Sequence, residues 1–378
     1  MIGITGTNGK TTTSYLLRHI LETNNISCTV FGTIENIVNG KSMKSSHTTS
    51  SPLILQQFLT MSQDEAVIME VSSHGLDQHR IEGIEFDFCL FTNLHHEHLD
   101  YHETIEHYFQ AKKSLFGHLK AEGKAIINTE SIWGEKLGKE LEMEGIPTYT
   151  IGCSGKNDFE TFNFNCKKFT ACIRQNQQIE EVSSPMPGIH NMENTLMAYV
   201  TSRVLGLEKK DIRAALGQFP GVDGRFELTK TENDVSILID YAHTPDAVLH
   251  LLTTVKQLGA KRIIHIFGFR GNRDSSKWPE MLFQSSHLSD RYILTMDDLN
   301  SMSYVEMLTT LHSLNKEYGN QKGYIVPDRT CAIKLAIEQG CLGDYIVITG
   351  KGHEMYQQTY QLETQSDRET VNHLLKGY

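Results

Sequence analysis

The chain has 378 residues, 39% of them hydrophobic and 21% charged, which suits a soluble globular protein of two domains. A formal charge of −11 argues against a broad nucleic-acid surface, and neither a bilayer-spanning apolar run nor a basic-then-apolar start is present. Seven cysteines without a CxxC pair suggest neither a disulfide framework nor a zinc knuckle, so reduced thiols in a cytoplasm are expected.

Short apolar runs alternate with helical patterns in the front half, the signature of a largely parallel sheet with crossover helices. Ile2–Thr5 reads as a strand and Gly6–Gly9 as a loop. Lys10–Thr23 reads as a helix with Leu16, Leu17, Ile20 and Leu21 on one face. Cys28–Phe31, Val67–Val71, Phe86–Phe91 and Ala125–Ile127 follow as strands, and Thr104–Leu119 and Ile132–Glu144 as helices. Thr161–Ile173 reads as an antiparallel hairpin insert, and helices are expected over Asn191–Leu205 and Asp211–Gln218. The Gly/Pro-rich stretch Phe219–Arg225 marks a boundary between domains 1–223 and 224–378. Beyond it, Ile237–Asp240, Ile263–Phe267, Tyr292–Thr295, Tyr324–Val326 and Tyr345–Thr349 read as the strands of a second, smaller α/β unit.

Gly6-Thr7-Asn8-Gly9-Lys10-Thr11-Thr12 follows a predicted strand and opens a predicted helix. Its glycines let backbone N–H groups approach phosphate oxygens, and the helix N-terminus favours negative charge. Lys10 is placed to reach the outer phosphates and Thr11 to ligate Mg²⁺. The loop is shorter than the full G-x-x-x-x-G-K-T form. Glu70 ends a predicted strand, where open parallel sheets hold their ligands. Alone it would read as a solvated carboxylate. The run His95-His-Glu-His98 lacks HExxH spacing, so Mg²⁺ ranks first, an uninvolved histidine cluster second and zinc a distant third.

Nine blocks occur in one order along the chain: GTNGKTTT (6–13), MEVSSHGLDQHR (69–80), TNLHHEHLDYH (92–102), AKKSLF (111–116), PGIHNMEN (187–194), GRFE (224–227), DYAHTPDA (240–247), GNRDSSKWP (271–279) and GKGHEMYQ (350–357). With them the sequence resembles the Mur ligase family, most closely its UDP-N-acetylmuramyl-tripeptide synthetase (MurE) branch. The resemblance implies an α/β protein with a central P-loop ATP-binding domain and a smaller Rossmann-like C-terminal domain that closes over the nucleotide. It implies ATP and two Mg²⁺ ions as cofactors, with Lys10, Thr11, Glu70 and His98 near phosphate and metal. Lys112 matches a lysine that the family carbamylates, which turns a cation into an anion able to hold a second ion. His190, Asn191 and Asn194 match the block that meets the adenine. Arg225, Asp240, Tyr241 and His243 match the nucleotide side of the closed cleft. Implied substrate contacts are Thr48, Thr49, Ser72, His74, Arg80, Arg270, Asp297, Asn300, Lys351, His353 and Glu354.

Departures cluster in substrate-facing loops. Pathway members carry a UDP-gripping domain ahead of the phosphate loop, and no such domain precedes Gly6 in this sequence. Diaminopimelate enzymes carry D-N-P-R, whose arginine clamps a distant carboxylate, where this chain reads Asp297-Asp-Leu-Asn300. Glu354 is retained and suited to pair with an amine. GFRGNRD at 268–274 departs from G-x-G-G-x-R-D, and its Arg270 reads either as a cation facing an anion or as an exposed loop arginine. The expected activity is carboxylate–amine ligation through an acyl phosphate, first as a stand-alone amino-acid or peptide ligase of a specialised pathway. The alternatives are the cell-wall tripeptide synthetase with a missing or separate UDP-binding part, and a nucleotide-binding partner without catalysis. Small-molecule acid and amine substrates are expected, without nucleic acid or membrane.

Overall fold

The computed structural model describes residues 1–376, and among them the chain divides into two compact units. The first comprises Met1–His95 and Tyr101–Pro220; the second comprises His96–Asp100 and the chain from Gly221 on. Among the described residues no helix is long and apolar enough to cross a membrane.

The first unit is built on strands β1 (Ile2–Thr5), β2 (Cys28–Phe31), β3 (Glu35–Val38), β4 (Lys41–Lys44), β5 (Ala66–Glu70), β6 (Phe86–Phe91), β7 (Leu119–Asn128), β8 (Thr148–Gly152), β9 (Phe159–Asn165), β10 (Thr170–Gln175) and β11 (Gln178–Ser183). They form one sheet in the order β11-β10-β9-β8-β7-β6-β1-β5-β2-β3-β4. From β2 through β9 the pairs are parallel, and both flanks end in antiparallel ribbons. Every residue of β1 and β2 is buried, as expected where crossover helices cover both faces. Leu16, Leu17, Ile20 and Leu21 of the helix Lys10–Thr23 pack with Ile2, Ile4, Val30 and Ile68 in the same core. The expected hairpin over 161–173 is the β9–β10 part of a three-stranded ribbon that β9 joins to β8. The expected helix over 104–119 is shorter: Ile105–Lys113 is α-helical and Ser114–His118 tightens into a 3₁₀ turn. Ser114 Oγ donates to the Ala111 carbonyl at 2.8 Å, a local bond that competes with the regular ladder.

The second unit contains β12 (Glu227–Lys230), β13 (Ser236–Asp240), β14 (Arg262–Phe267), β15 (Arg291–Leu294), β16 (Gly323–Ile325) and β17 (Asp344–Thr349), ordered β12-β13-β17-β14-β15-β16. All pairs are parallel except β12–β13. Helix Arg329–Gln339 and the terminal helix Asp367–Lys376 cover one face through Ala332, Ile333, Ala336, Val371 and Leu374. Their first residues form a fully buried ion pair: Arg329 Nε and Nη2 donate to the two Asp367 oxygens at 2.7 and 2.8 Å. The guanidinium also donates to the Thr349 carbonyl at 2.8 Å, and Tyr356 donates to Asp367 at 2.9 Å. Removing one partner strands the other charge in the core. Asp367→Asn should therefore lower unfolding free energy by about 3–5 kcal/mol in denaturant titrations.

His265 on β14 is fully buried between Ser285 Oγ (2.8 Å) and Thr349 Oγ1 (2.9 Å) and stacks on Phe267. Burial, reinforced by the Arg329 charge, pushes its pKa down to about 3. The folded state thus refuses a proton that the unfolded chain accepts below its ordinary pKa of about 6.5. This stabilisation is complete above that pH and drains away as pH falls toward 3. Melting temperature against pH should slope upward across that window, and His265→Gln should flatten the slope.

Candidate active site

The loop after β1 is held from the strand beside it. Thr7 N donates to the Asn93 carbonyl at 3.0 Å and Asn8 N to Asn93 Oδ1 at 2.9 Å. Thr92 Oγ1 donates to the Asn8 carbonyl at 2.6 Å, and Tyr108 Oη lies 3.1 Å from Thr7 Oγ1. Two glycines are required here. At Gly6 (φ 145°) a Cβ would stand 1.9 Å from Thr92 Oγ1, and at Gly9 (φ 90°) it would stand 2.1 Å from Asn194 Oδ1. Asn194, expected beside adenine, packs against the loop itself.

Lys10 Nζ donates to the carbonyls of Gly6 (2.8 Å) and Thr7 (3.0 Å). Lys112 Nζ donates to the same Gly6 carbonyl at 2.8 Å, lies 4.5 Å from the Tyr108 ring centre and is buried. Two ammonium groups thus converge on one carbonyl beside a helix N-terminus whose first turn, with Thr11 and Thr12 buried in it, carries no acidic residue. That concentration of positive potential suits a polyphosphate.

Glu70, at the end of β5, is fully buried. Its Oε2 accepts from Thr11 Oγ1 at 2.9 Å and Thr33 Oγ1 at 2.8 Å, and its Oε1 accepts from Thr33 N at 3.2 Å. A carboxylate and a hydroxyl sharing one spot form a hard-oxygen donor set, which fits Mg²⁺. The implied substrate contacts of this unit continue outward from Glu70. Thr48 Oγ1 lies 3.1 Å from Thr33 Oγ1, and Thr49 Oγ1 donates to the Glu70 carbonyl at 3.1 Å. Ser72 N donates to Thr49 Oγ1 at 2.9 Å, while Ser72 Oγ caps the helix Ser73–Asp77. Arg80 Nη1 donates to the Thr49 carbonyl at 2.7 Å, and the His74 ring packs 4.2 Å from Tyr101. On the helix Ile189–Val204, His190 occupies the first turn and Asn191 Nδ2 donates to the Pro187 carbonyl at 2.8 Å.

His98, with φ 58°, lies in the segment His96–Asp100 that belongs to the second unit. There Lys277 pairs with Glu97 at 2.6 Å. Arg225 and Arg270 both lie over the Tyr241 ring, at 4.3 and 5.2 Å from its centre. Asp240 accepts from Phe226 N and Ala242 N, both at 2.7 Å, which fastens the Gly224–Glu227 turn to the end of β13. Burial raises the Asp240 carboxyl despite Arg225. Burial also lowers His353 to about 4, helped by Arg225 and Arg270, and holds His243 well below the usual imidazole range, helped by Lys277 and Arg270. Both histidines are therefore neutral at pH 7. Asp297 and Asp298 hold the buried Lys351, and Asn300 Nδ2 donates to the Gly271 carbonyl at 2.6 Å. Arg270 is not an exposed loop arginine: its side chain is 21% accessible and turns onto Glu354 and the Gly350 carbonyl.

Thr33, Thr92, Asn93 and Tyr108 were not among the expected site residues. Thr92 and Asn93 directly follow β6, the same strand-end position that singled out Glu70, so a signal existed for them. Because the loop depends on Gly9 lying against Asn194, Gly9→Ala should weaken ATP binding by about tenfold or more in calorimetry, the expected consequence of about 1–3 kcal/mol of strain.

Residues 4–202 match the family model described as Mur ligase middle domain, and residues 224–352 match Mur ligase, glutamate ligase domain. The UDP-N-acetylmuramoyl-L-alanyl-D-glutamate–2,6-diaminopimelate ligase of Alkaliphilus oremlandii is 35% identical over 362 residues, covering 94% of this chain and 74% of the relative. The Lawsonia intracellularis enzyme of the same name is 38% identical over 372 residues, covering 95% and 75%. A solved ligase of that name superposes with a TM-score of 0.67 at 28% identity, covering all of this chain and 78% of its own. The MurF ligase of Thermotoga maritima in complex with ADP shares the fold, with a TM-score of 0.70 at 18% identity over 92% of this chain and 75% of its own. With both domain types matched in order and the phosphate loop, its lysines and Glu70 gathered in the first of them, the chain belongs to the Mur ligase family and is an ATP-dependent, amide-forming ligase.

Proposed function

We propose that the chain acts as a ligase of the tripeptide-synthetase type, adding an amino acid to the peptide carboxylate of a nucleotide-sugar precursor. The observation that carries this is the gathering of Lys10, Thr11, Glu70 and Lys112 around one loop. The chain also matches tripeptide synthetases over nearly its whole length. That match favours this reading over the specialised-pathway ligase expected first.

In the proposed reaction a substrate carboxylate oxygen attacks the γ-phosphorus of ATP, the bond to the β-phosphate oxygen breaks and ADP departs. The amine then attacks the acyl carbon, loses a proton and expels inorganic phosphate. Lys10 would leave the Gly6 and Thr7 carbonyls to follow charge onto the outer phosphates, while the helix N-terminus holds the inner ones. Thr11 and Glu70 would hold Mg²⁺, and the ion would supply charge neutralisation at the transferring group. A carbamate on Lys112 would bring a second anion close to Gly6 and favour a second ion. The Thr48–Thr49 loop, Ser72, His74 and Arg80 would face the acid. His190, Asn191, Arg225, Asp240, Tyr241 and His243 would face the nucleotide, with Asp297, Asn300, Lys351, His353 and Glu354 on the acceptor side. Most of the rate would come from positioning and preorganised charge. A cytoplasmic place of action is part of this reading.

The test is ADP release with ATP, Mg²⁺ and UDP-N-acetylmuramoyl-L-alanyl-D-glutamate, with hydroxylamine present to trap the acyl phosphate as a hydroxamate. Acid-dependent ADP and hydroxamate are expected, and Lys10→Ala should cut the rate by about 10²-fold or more. ATP binding without acid-dependent turnover would count against the proposal. Biological activity undiminished in Lys10→Ala would favour a non-catalytic nucleotide-binding partner.

A further inference from the structure

We propose that Arg270 is a built-in occupant of a cation seat in the second unit, and that it keeps amines bearing a second ammonium group out of the acceptor site. The part concerning acceptors rests on the ligase reading above; the cation seat does not.

Its guanidinium is surrounded by groups that receive positive charge. Nη2 donates to the Gly350 carbonyl at 2.8 Å and contacts the Glu354 carboxylate. Nη1 lies 3.4 Å from Tyr241 Oη, Nε lies 3.9 Å from Asp297 Oδ1, and the guanidinium carbon lies 5.2 Å from the Tyr241 ring centre. Tyr241 Oη donates to the other Glu354 oxygen at 3.1 Å, fixing that carboxylate in place. A carboxylate, a carbonyl and an aromatic face are the donor set that recognises an organic cation. The side chain that fills it is partly accessible, so the seat opens toward solvent.

Two consequences concern the amine substrate. Glu354, the residue suited to pair with an acceptor ammonium, is already engaged by a cation from its own chain. Asn300, which stands where diaminopimelate enzymes carry their clamping arginine, spends its amide on the Gly271 carbonyl. An acceptor with both a remote ammonium and a remote carboxylate therefore finds the partner of the first occupied and that clamp for the second absent. The acceptor favoured by this arrangement is an amino acid with a short or uncharged side chain.

Arg270→Ala should vacate the seat. Calorimetry with butylammonium and methylguanidinium as probes should show binding to Arg270→Ala at least about tenfold tighter than to the wild type. The double variant Arg270→Ala/Glu354→Gln should lose that gain. In phosphate-release assays, the rate with L-lysine relative to L-alanine should rise about tenfold or more in Arg270→Ala, matching that gain. Wild-type protein that binds butylammonium as tightly as the variant overturns the proposal. So does a double variant that keeps the gain, or an unchanged lysine-to-alanine ratio in an active enzyme. Arg270→Gln, neutral and shorter, gives the same readout if Arg270→Ala does not fold. Absence of turnover with every acid and amine counts against the ligase reading alone, and probe binding then decides the cation seat by itself.

Discussion

The first unit depends on the fixed shape of one loop, and that shape comes from contacts that exclude any Cβ. Gly6 lies against Thr92 and Gly9 against Asn194, so the residues just after β6 and the helix Ile189–Val204 both press on a segment of four residues. The loop's amides and carbonyls are then aimed without further adjustment. Lys10 and Lys112 meet on one of these carbonyls, that of Gly6. A phosphate chain entering this site would offer these ammonium groups anionic acceptors in place of neutral carbonyls while the scaffold stays as it is.

Glu70 extends the same constraint to the next strand. Its carboxylate ends a fully apolar strand interior and takes three hydrogen bonds from Thr11 and Thr33, which offset the cost of burying it. The carboxylate is therefore tied to the helix that the loop opens. The Thr48–Thr49 segment is tied to Glu70 twice, to its carboxylate through Thr33 and to its backbone carbonyl directly, so polar groups from the helix Lys10–Thr23, the β2–β3 connection, β5 and the β4-to-helix connection lie in one continuous network.

The second unit is organised by charge. Two guanidinium groups lie over Tyr241, and burial, aided by their positive potential and, at His243, by Lys277, keeps His243 and His353 neutral. The charges themselves are balanced locally: Arg270 against Glu354, Lys351 against Asp297 and Asp298, and Arg329 against Asp367. Polar side chains that resemblance would assign to substrate are thus partly spent inside the protein.

Much of the architecture was legible in the chain. Periodicity located most parallel strands of both sheets, β8 excepted, and the helix Lys10–Thr23, because burial on both faces leaves continuous apolar runs and a single buried stripe leaves a 3.6-residue rhythm. The edge ribbon β3–β4 was not read, although Asn39-Gly40, both left-handed in the structure, is the turn signal for it. Lys10, Thr11 and Glu70 were legible because strand, loop and helix order dictates where phosphate chemistry sits. The partners of Arg270 were not, since no local pattern states that a loop arginine and a glutamate 84 residues later share one carbonyl's neighbourhood. Local sequence determined the elements and the phosphate loop through steric and periodic rules that act within a few residues. Tertiary structure alone decided which charges cancel one another, because ion pairing depends on distances that only the folded sheet brings below 4 Å.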